Sequence, residues 1–237
     1  MNIKKKISLI LCTYNEKNYI INSLQLIQNN IDNCEVIIVD DNSNDGTLKI
    51  LKENEKNFEF KLFVRTNERG LASAQLKGFL ESSGDYIGTV DVNSENQILY
   101  FSKLIKKLDQ GYDVASLSRY VDGGGDERIL IRSQASKLIN LVCRILLRVK
   151  FTDFTSGIFL MKKNVFFKTK HIISGYSEWY IEFIYFLIKR GAKVCEIPYL
   201  QTLDKKDIQS KSFPNIFTFF YLGFKYFLRA LITKIRN

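Results

Sequence analysis

Apolar and polar positions come in blocks through the first half of the chain. Ile7–Thr13, Val36–Val39 and Tyr86–Val90 are short apolar runs, and each ends in acidic or amide side chains. The endings are Tyr14-Asn15-Glu16, Asp40-Asp41-Asn42-Ser43 and Asp91-Val92-Asn93-Ser94-Glu95. Short continuous runs of this kind fit strands buried on both faces of a parallel sheet. Between them the pattern predicts helices near Asn18–Gln28, from around Asp45 and over Leu71–Glu81, with a further strand at Lys61–Arg65. Ser43-Asn44-Asp45-Gly46-Thr47 supplies turn formers, and Asp45 reads as a helix cap. The βαβαβ rhythm predicts an α/β fold: a mostly parallel central sheet, helices on both faces, right-handed crossovers.

The second half is less regular. Helices are expected at Ile98–Leu108, Arg132–Arg148 and Ser177–Arg190, and strands at Asp113–Leu117, Gly157–Met161 and Lys193–Pro198. Gly123-Gly124-Gly125 reads as a mobile or tightly turned loop, and Ile208–Phe213 as a loop. The tail Phe213–Asn237 is aromatic and aliphatic but carries Lys225, Arg229, Lys234 and Arg236. A membrane span needs ~20 mostly uncharged residues. The tail instead suits an amphipathic helix at a membrane surface, or one packed on the domain or a partner subunit. The chain therefore divides into a catalytic-type domain over 1–212 and a tail helix over 213–237.

Composition narrows the function. The net charge is +10 over 237 residues, which favours phosphate-bearing partners. No aromatic-basic recognition motif accompanies the charge, so nucleic acid is not expected. The four cysteines form no CxxC pair and read as reduced, buried thiols of a cytoplasmic protein. His171 is the single histidine, too little for a His-based zinc site or a Ser-His-Asp triad. Lys4-Lys5-Lys6 before Ile7–Cys12 imitates a signal peptide, but the apolar stretch is short and no cleavage site follows.

Ligands of open α/β sheets bind beyond the carboxyl ends of the strands. Three strands delivering oxygen-rich side chains to one edge point to a divalent cation beside a phosphate-bearing ligand. Asp91 and Glu95 supply carboxylates for such an ion, and Asn93 a carbonyl oxygen. A turn capping the next helix is the competing role for Asp91–Ser94. Asp41 suits a base or ribose, Tyr14 a stacked base, and Glu16 ribose hydroxyls.

Cys12-Thr13-Tyr14-Asn15-Glu16 and Val39-Asp40-Asp41-Asn42-Ser43-Asn44-Asp45-Gly46-Thr47 resemble the opening motifs of family 2 glycosyltransferases of the GT-A fold. The likeness continues through Asn67–Ala74, Gly84-Asp85-Tyr86, Ser118-Arg119-Tyr120, Asp153–Gly157, Glu196-Ile197-Pro198 and Ser210-Lys211, over about residues 6–212. The later motifs resemble the branch of dolichol-phosphate mannosyltransferases and bacterial polyprenyl-phosphate glycosyltransferases. The resemblance implies a UDP- or GDP-linked sugar donor and Mg²⁺ or Mn²⁺. It implies a polyprenyl phosphate or glycan acceptor, and inversion at the anomeric carbon. Cys12, Tyr14, Glu16, Val39 and Asp41 fall where the family holds the nucleotide. Asp91, Val92, Asn93 and Glu95 fall on its metal and donor-phosphate loop, Arg119 beside the donor, and Lys205 and Lys211 on a late phosphate-gripping loop.

Departures accompany the likeness. Asn93 stands for the second aspartate of Asp-x-Asp, Glu95 for a glutamine, Lys205 for an arginine and Ile208 for a glycine. A catalytically weakened nucleotide-sugar-binding protein is the alternative they suggest. Asp91 and Arg119 are expected to act on the leaving group, and Asp153 is the candidate base for a hydroxyl acceptor, with Glu182 and Glu178 behind it. Glu182 reads as an exposed helix charge. Arg132, Arg144 and Arg148 are candidates to guide a lipid phosphate. The expected location is the cytoplasm, peripheral on the inner face of the membrane, with a homo-oligomer as an option.

Overall fold

The computed structural model describes residues 5–92, 95–168, 173–202 and 216–236. Asn93, His171, Lys205, Ile208 and Lys211, and the loop expected at Ile208–Phe213, lie outside the described residues, as does the Glu95 side chain. Strand β1 (Ile7–Thr13) leads through α1 (Ile20–Asn30) to β2 (Cys34–Asp40), then through α2 (Thr47–Glu53) to β3 (Phe60–Val64). Helix α3 (Leu71–Glu81) and strand β4 (Tyr86–Thr89) complete the first half. The expected α3 bounds match the observed ones.

The second half holds α4 (Glu95–Ile98), α5 (Phe101–Asp109), β5 (Val114–Ser118), β6 (Gly125–Asp126), α6 (Leu130–Leu147), β7 (Phe159–Lys162) and α7 (Lys163–Lys168). It closes with α8 (Trp179–Lys189), β8 (Val194–Pro198), β9 (Leu200–Gln201) and α9 (Ile216–Ile235). The main sheet runs β3-β2-β1-β4-β7-β5-β8. All pairs in it are parallel except those of β7, which is antiparallel to both neighbours. The sheet is thus mostly parallel, as expected, with one reversed strand that hydrophobic pattern alone does not orient.

The predicted helix Ile98–Leu108 is two helices. The Tyr100 N–H bonds the Gln97 carbonyl in a turn, and Phe101 starts a new helix that buries Phe101, Leu104 and Leu108. The triple glycine is the tight rather than the mobile alternative. A Cβ on Gly124 would sit 2.8 Å from the carbonyls of Ser118 and Arg119. Only glycine lets β6 lie against the end of β5 and pair with β9.

Helix α8 corrects one expectation. Glu182 is not an exposed charge but is fully buried. The helix is apolar nearly all round, with Trp179–Tyr185 all buried, which marks a central helix rather than a surface one. A buried carboxylate needs partners. Arg229 reaches Glu182 at 3.0 Å and Arg236 pairs with its other oxygen. Lys225 approaches the buried Glu178 at 3.5 Å. Lys225 and Arg229 lie on α9 and Arg236 just follows it, so the tail helix is pinned to α8 and packs against α6.

At the amino end of β2, Glu35 accepts hydrogen bonds from Ser8 and Ser83 and pairs with Lys61 at 2.7 Å. Burial opposes its charge, but Lys61 and the two serines win and bring its pKa down to about 2. A depressed carboxyl stabilises the fold above the ordinary carboxylate range and loses that contribution as pH falls toward 2. Glu35→Gln should cost about 1–2 kcal/mol at pH 7, allowing for solvent screening at the exposed lysines. The difference from wild type should shrink to near zero by pH 2. Urea midpoints of both proteins across that range check it.

Candidate active site

The carboxyl ends of β1, β2 and β4 open on a cavity of about 780 Å³. That is within the range of small-molecule sites. The register sets Cys12 beside Val39 and Thr13 beside Asp40. The Thr13 hydroxyl donates to Asp40 at 2.6 Å, and Asp40 accepts from the Ser43 N–H and hydroxyl. Asp40 is thus consumed in building the turn, and Asp41 is left to face the cavity.

Cys12, Tyr14, Glu16 and Asp41 all line this end of the cavity. Val39 does not. Its side chain packs in the core with Ile37 and Ala74, directly behind the wall. Burial, with the nearby Asp41 charge, pushes the Cys12 thiol far above its ordinary range, so it stays neutral. The Arg69 guanidinium lies 3.6 Å from the centre of the Tyr14 ring. Asp41 is bonded by Arg65 and by the Gly70 N–H. Asp45 accepts from the Thr47 N–H at the start of α2, but the cap position is Gly46, so Asp45 sits one residue ahead of the cap expected for it.

Asp91 follows β4 and is exposed toward the cavity. Buried Gln97, the third residue of the short α4, spans it. Its Oε1 accepts from the Asp91 N–H at 3.3 Å, and its Nε2 donates to the carboxylate at 3.5 Å. Val92 is buried, and its carbonyl accepts from Ser23. Among the described residues, no three His, Cys, Asp or Glu side chains gather as a metal-holding group. A hard cation carried by phosphate oxygens needs only one or two protein carboxylates. Asp91 alone fits that sparse donor set.

Across the cavity sits a buried charge cluster. Arg119 donates from Nε to Asp153 Oδ2 at 2.8 Å and from Nη2 to Oδ1 at 2.6 Å. Its Nη1 lies 3.7 Å from Asp126, which Arg128 holds at 2.7 Å. Burial alone would lower the Arg119 pKa, but Asp153 raises it, so the guanidinium stays charged. Asp153 is fully buried. It also accepts from the Arg119 N–H, and its own N–H donates to Glu196. It is absent from the cavity wall, whereas Arg119, Arg128 and Arg132 are on it. Arg144 on α6 and Arg148 just past its end are exposed and absent from the cavity wall. Glu178 and Glu182 lie in the α8–α9 ion pairs, outside the cavity lining.

Beyond the arginines the wall turns apolar. Leu138, Ile139 and Val142 of α6 face Phe220, Phe224 and Phe227 of α9. The outer faces of both helices expose large apolar groups, among them Leu130, Leu141 and Ile145 on α6 and Phe217, Tyr221 and Ile235 on α9. No described helix is long and apolar enough to cross a membrane. Sequence reading missed Arg65, Arg69, Gln97 and the Asp126–Arg128 pair as site residues. Arg69 stood inside a quoted motif, but no spacing marked it as a neighbour of Tyr14.

A family profile, Glycosyl transferase family 2, matches residues 8–170. The chain belongs to this family. Among curated relatives, it is 36% identical over 165 residues to a dolichol-phosphate mannosyltransferase of Pyrococcus furiosus, covering 68% of this chain and 47% of that one. It is 30% identical over 145 residues to an undecaprenyl-phosphate 4-deoxy-4-formamido-L-arabinose transferase of Proteus mirabilis, covering 57% and 42%. The chain thus spans less than half the length of these relatives. Among solved structures, glucosyl-3-phosphoglycerate synthase of Mycobacterium tuberculosis, in complex with Mn²⁺, UDP and glucosyl-3-phosphoglycerate, superposes with a TM-score of 0.73 at 14% identity. That match covers 97% of this chain and 80% of the other, and it bears out the GT-A architecture.

Proposed function

We propose that this family 2 glycosyltransferase moves a sugar from a nucleotide diphosphate to a polyprenyl phosphate, with inversion, at a membrane surface. The observation that carries this reading is the two-ended cavity. One end offers Tyr14, Glu16 and Asp41, the middle offers Asp91 and three arginines, and the far end is an apolar trough between α6 and α9. A nucleotide, a diphosphate beside a second phosphate, and a hydrocarbon chain fit that order. The names of the two curated relatives, each a polyprenyl-phosphate transferase, support the same class.

Asp91 would hold Mg²⁺ or Mn²⁺ together with the donor diphosphate, with Asn93 and Glu95 as further ligands from the same loop. Such an ion supplies neutralisation of charge on the departing diphosphate. Lys205 and Lys211 are proposed to add positive charge to the same phosphates. Arg119 stays protonated through its pairing with Asp153 and directs its Nη1 edge toward Asp126 and the cavity. Asp153 acts as the positioning residue for Arg119 rather than as a base. Cys12 and Val39 shape the wall of the nucleotide end.

A phosphate acceptor is already ionised near neutral pH and needs no base. The alternative, transfer to a saccharide hydroxyl, needs one, and Asp153 is locked away from the cavity. The aromatic outer face of α9, with exposed Lys234 at its end, suits an interface between acyl chains and headgroups. Attachment would be peripheral, on the cytoplasmic face of the membrane.

The test is transfer of radiolabelled sugar into a butanol-extractable lipid, with polyprenyl phosphate and Mn²⁺ supplied. Labelled lipid from one donor is the expected result. Folded protein that binds a nucleotide sugar but labels only a soluble glycan would favour the hydroxyl acceptor.

A further inference from the structure

Glu196 is a half-buried carboxylate on the edge strand β8. Its Oε2 accepts from the Thr152 N–H at 2.8 Å, and its Oε1 from the Thr152 hydroxyl at 2.6 Å and the Asp153 N–H at 3.0 Å. None of these described partners is a cation. Ser118, the last residue of β5, lies 2.9 Å from the Thr152 hydroxyl. β8 runs parallel to β5 with Glu196 opposite Ser116, so the glutamate stands beside the strand that delivers Arg119. Asp153 in turn accepts from the Arg119 N–H, Nε and Nη2. The contacts therefore run from Glu196, through the 152–153 backbone, to Arg119 on the cavity wall. Glu196 itself is not on that wall. Burying a carboxylate without a counter-ion is unfavourable, and a neutral side chain would close the same loop at less cost. What the carboxylate adds is acceptor capacity on both oxygens for three donors. That capacity fixes the Asp153 backbone, and with it the direction in which Asp153 presents its oxygens to Arg119.

We propose that Glu196 is a positioning residue that aims the Arg119–Asp153 pair, and that it does so only while ionised. This rests on the transferase reading above. A protonated Glu196 keeps one full acceptor oxygen and turns the other into a donor. One donor of the 152–153 segment then loses its partner, and the segment shifts. Burial raises the Glu196 pKa above the ordinary carboxylate value, against the hydrogen bonds of Thr152, Ser118 and Asp153, so this carboxylate takes its proton early as pH falls. The other groups around it do not replace its charge. Burial keeps Cys195 beside it and Tyr180 of α8 neutral. Asp153 is committed to Arg119, and Lys107 of α5 acts on Cys195.

Sugar transfer to polyprenyl phosphate by the full chain with Mn²⁺, wild type against Glu196→Gln, tests this from about pH 8 down to about pH 4.3, the ordinary glutamate value. Glutamine has the charge and shape of a protonated glutamate. At the upper end the variant should transfer at least about tenfold more slowly, with nucleotide affinity by calorimetry unchanged. As pH falls, the ratio of wild-type to variant rate should drop toward one. Ionisation of the acceptor phosphate cancels from that ratio. A merely structural glutamate would leave the ratio flat. A flat ratio, or a folded variant as fast as wild type, would overturn the inference and leave the transferase reading standing. Wild type that labels no lipid with any donor would remove both. Should Glu196→Gln fail to melt cooperatively, Thr152→Val removes one donor and keeps the backbone N–H. It should slow transfer about threefold with nucleotide affinity unchanged, and wild-type transfer by that variant would overturn the inference.

Discussion

Asp153→Ala should cost about 3–5 kcal/mol of folding stability, because it strips the buried Arg119 guanidinium of its bidentate partner and leaves only the more distant Asp126, already held by Arg128. Both residues are almost wholly inaccessible, at 0% and 5% exposure. Two N–H groups of Arg119 point at the two Asp153 oxygens, and a third donor, Nη1, lies 3.7 Å from Asp126. Removing one partner strands a charge where water cannot reach it. Replacing both by apolar residues of similar size strands none. Arg119→Met with Asp153→Leu should therefore recover most of the loss, although sugar transfer stays abolished. Urea unfolding followed by the fluorescence of Trp179, the single tryptophan and a buried one, reads both numbers. A stable Asp153→Ala protein that has lost only transfer would return Asp153 to the role of base.

The largest effect on catalysis is expected at Asp91. Asp91→Ala should lower sugar transfer by ~100–1,000-fold, the usual loss when a group that stabilises charge on the leaving side is removed. Its melting temperature should hardly change, since the side chain is exposed and packs against no core. The apparent demand for Mn²⁺ should rise in parallel. A drop of less than about threefold would shift the phosphate work to Glu95 and the late lysines. Gln97 spans Asp91, so Gln97→Leu should fall between the two, with the fold intact and the carboxylate less well aimed.

Much of this architecture was legible because the first half is written in continuous apolar runs. Ile7–Thr13 as a buried strand, Leu71–Glu81 as a helix and the acids at the strand ends all follow from local pattern. What stayed hidden depends on residues distant in sequence. β7 has no local signal for running antiparallel, and two-residue strands such as β6 and β9 carry no period. Asp41 and Arg65 are neighbours in space because parallel β2 and β3 end together, with Asp40 in register with Val64. Asp153 read as a candidate base because Arg119 lies 34 residues before it. Glu182 read as exposed because its two arginines belong to the tail. Each of these charges found a partner from another element, and single-segment periodicity is blind to that.

If α9 lies on a membrane as proposed, the ion pairs that join it to α8 set how the protein meets that surface. A helix joined by a loose tether would let the catalytic chamber tumble above a bilayer. Here Lys225, Arg229 and Arg236 fasten the tail to the same helix whose first turn borders the chamber. The aromatic sole of α9 and the mouth of the chamber therefore share one rigid frame. On the proposed reading, whatever α9 rests on would hold the cavity mouth at one set height and tilt, so only an acceptor phosphate presented at that height would meet the donor.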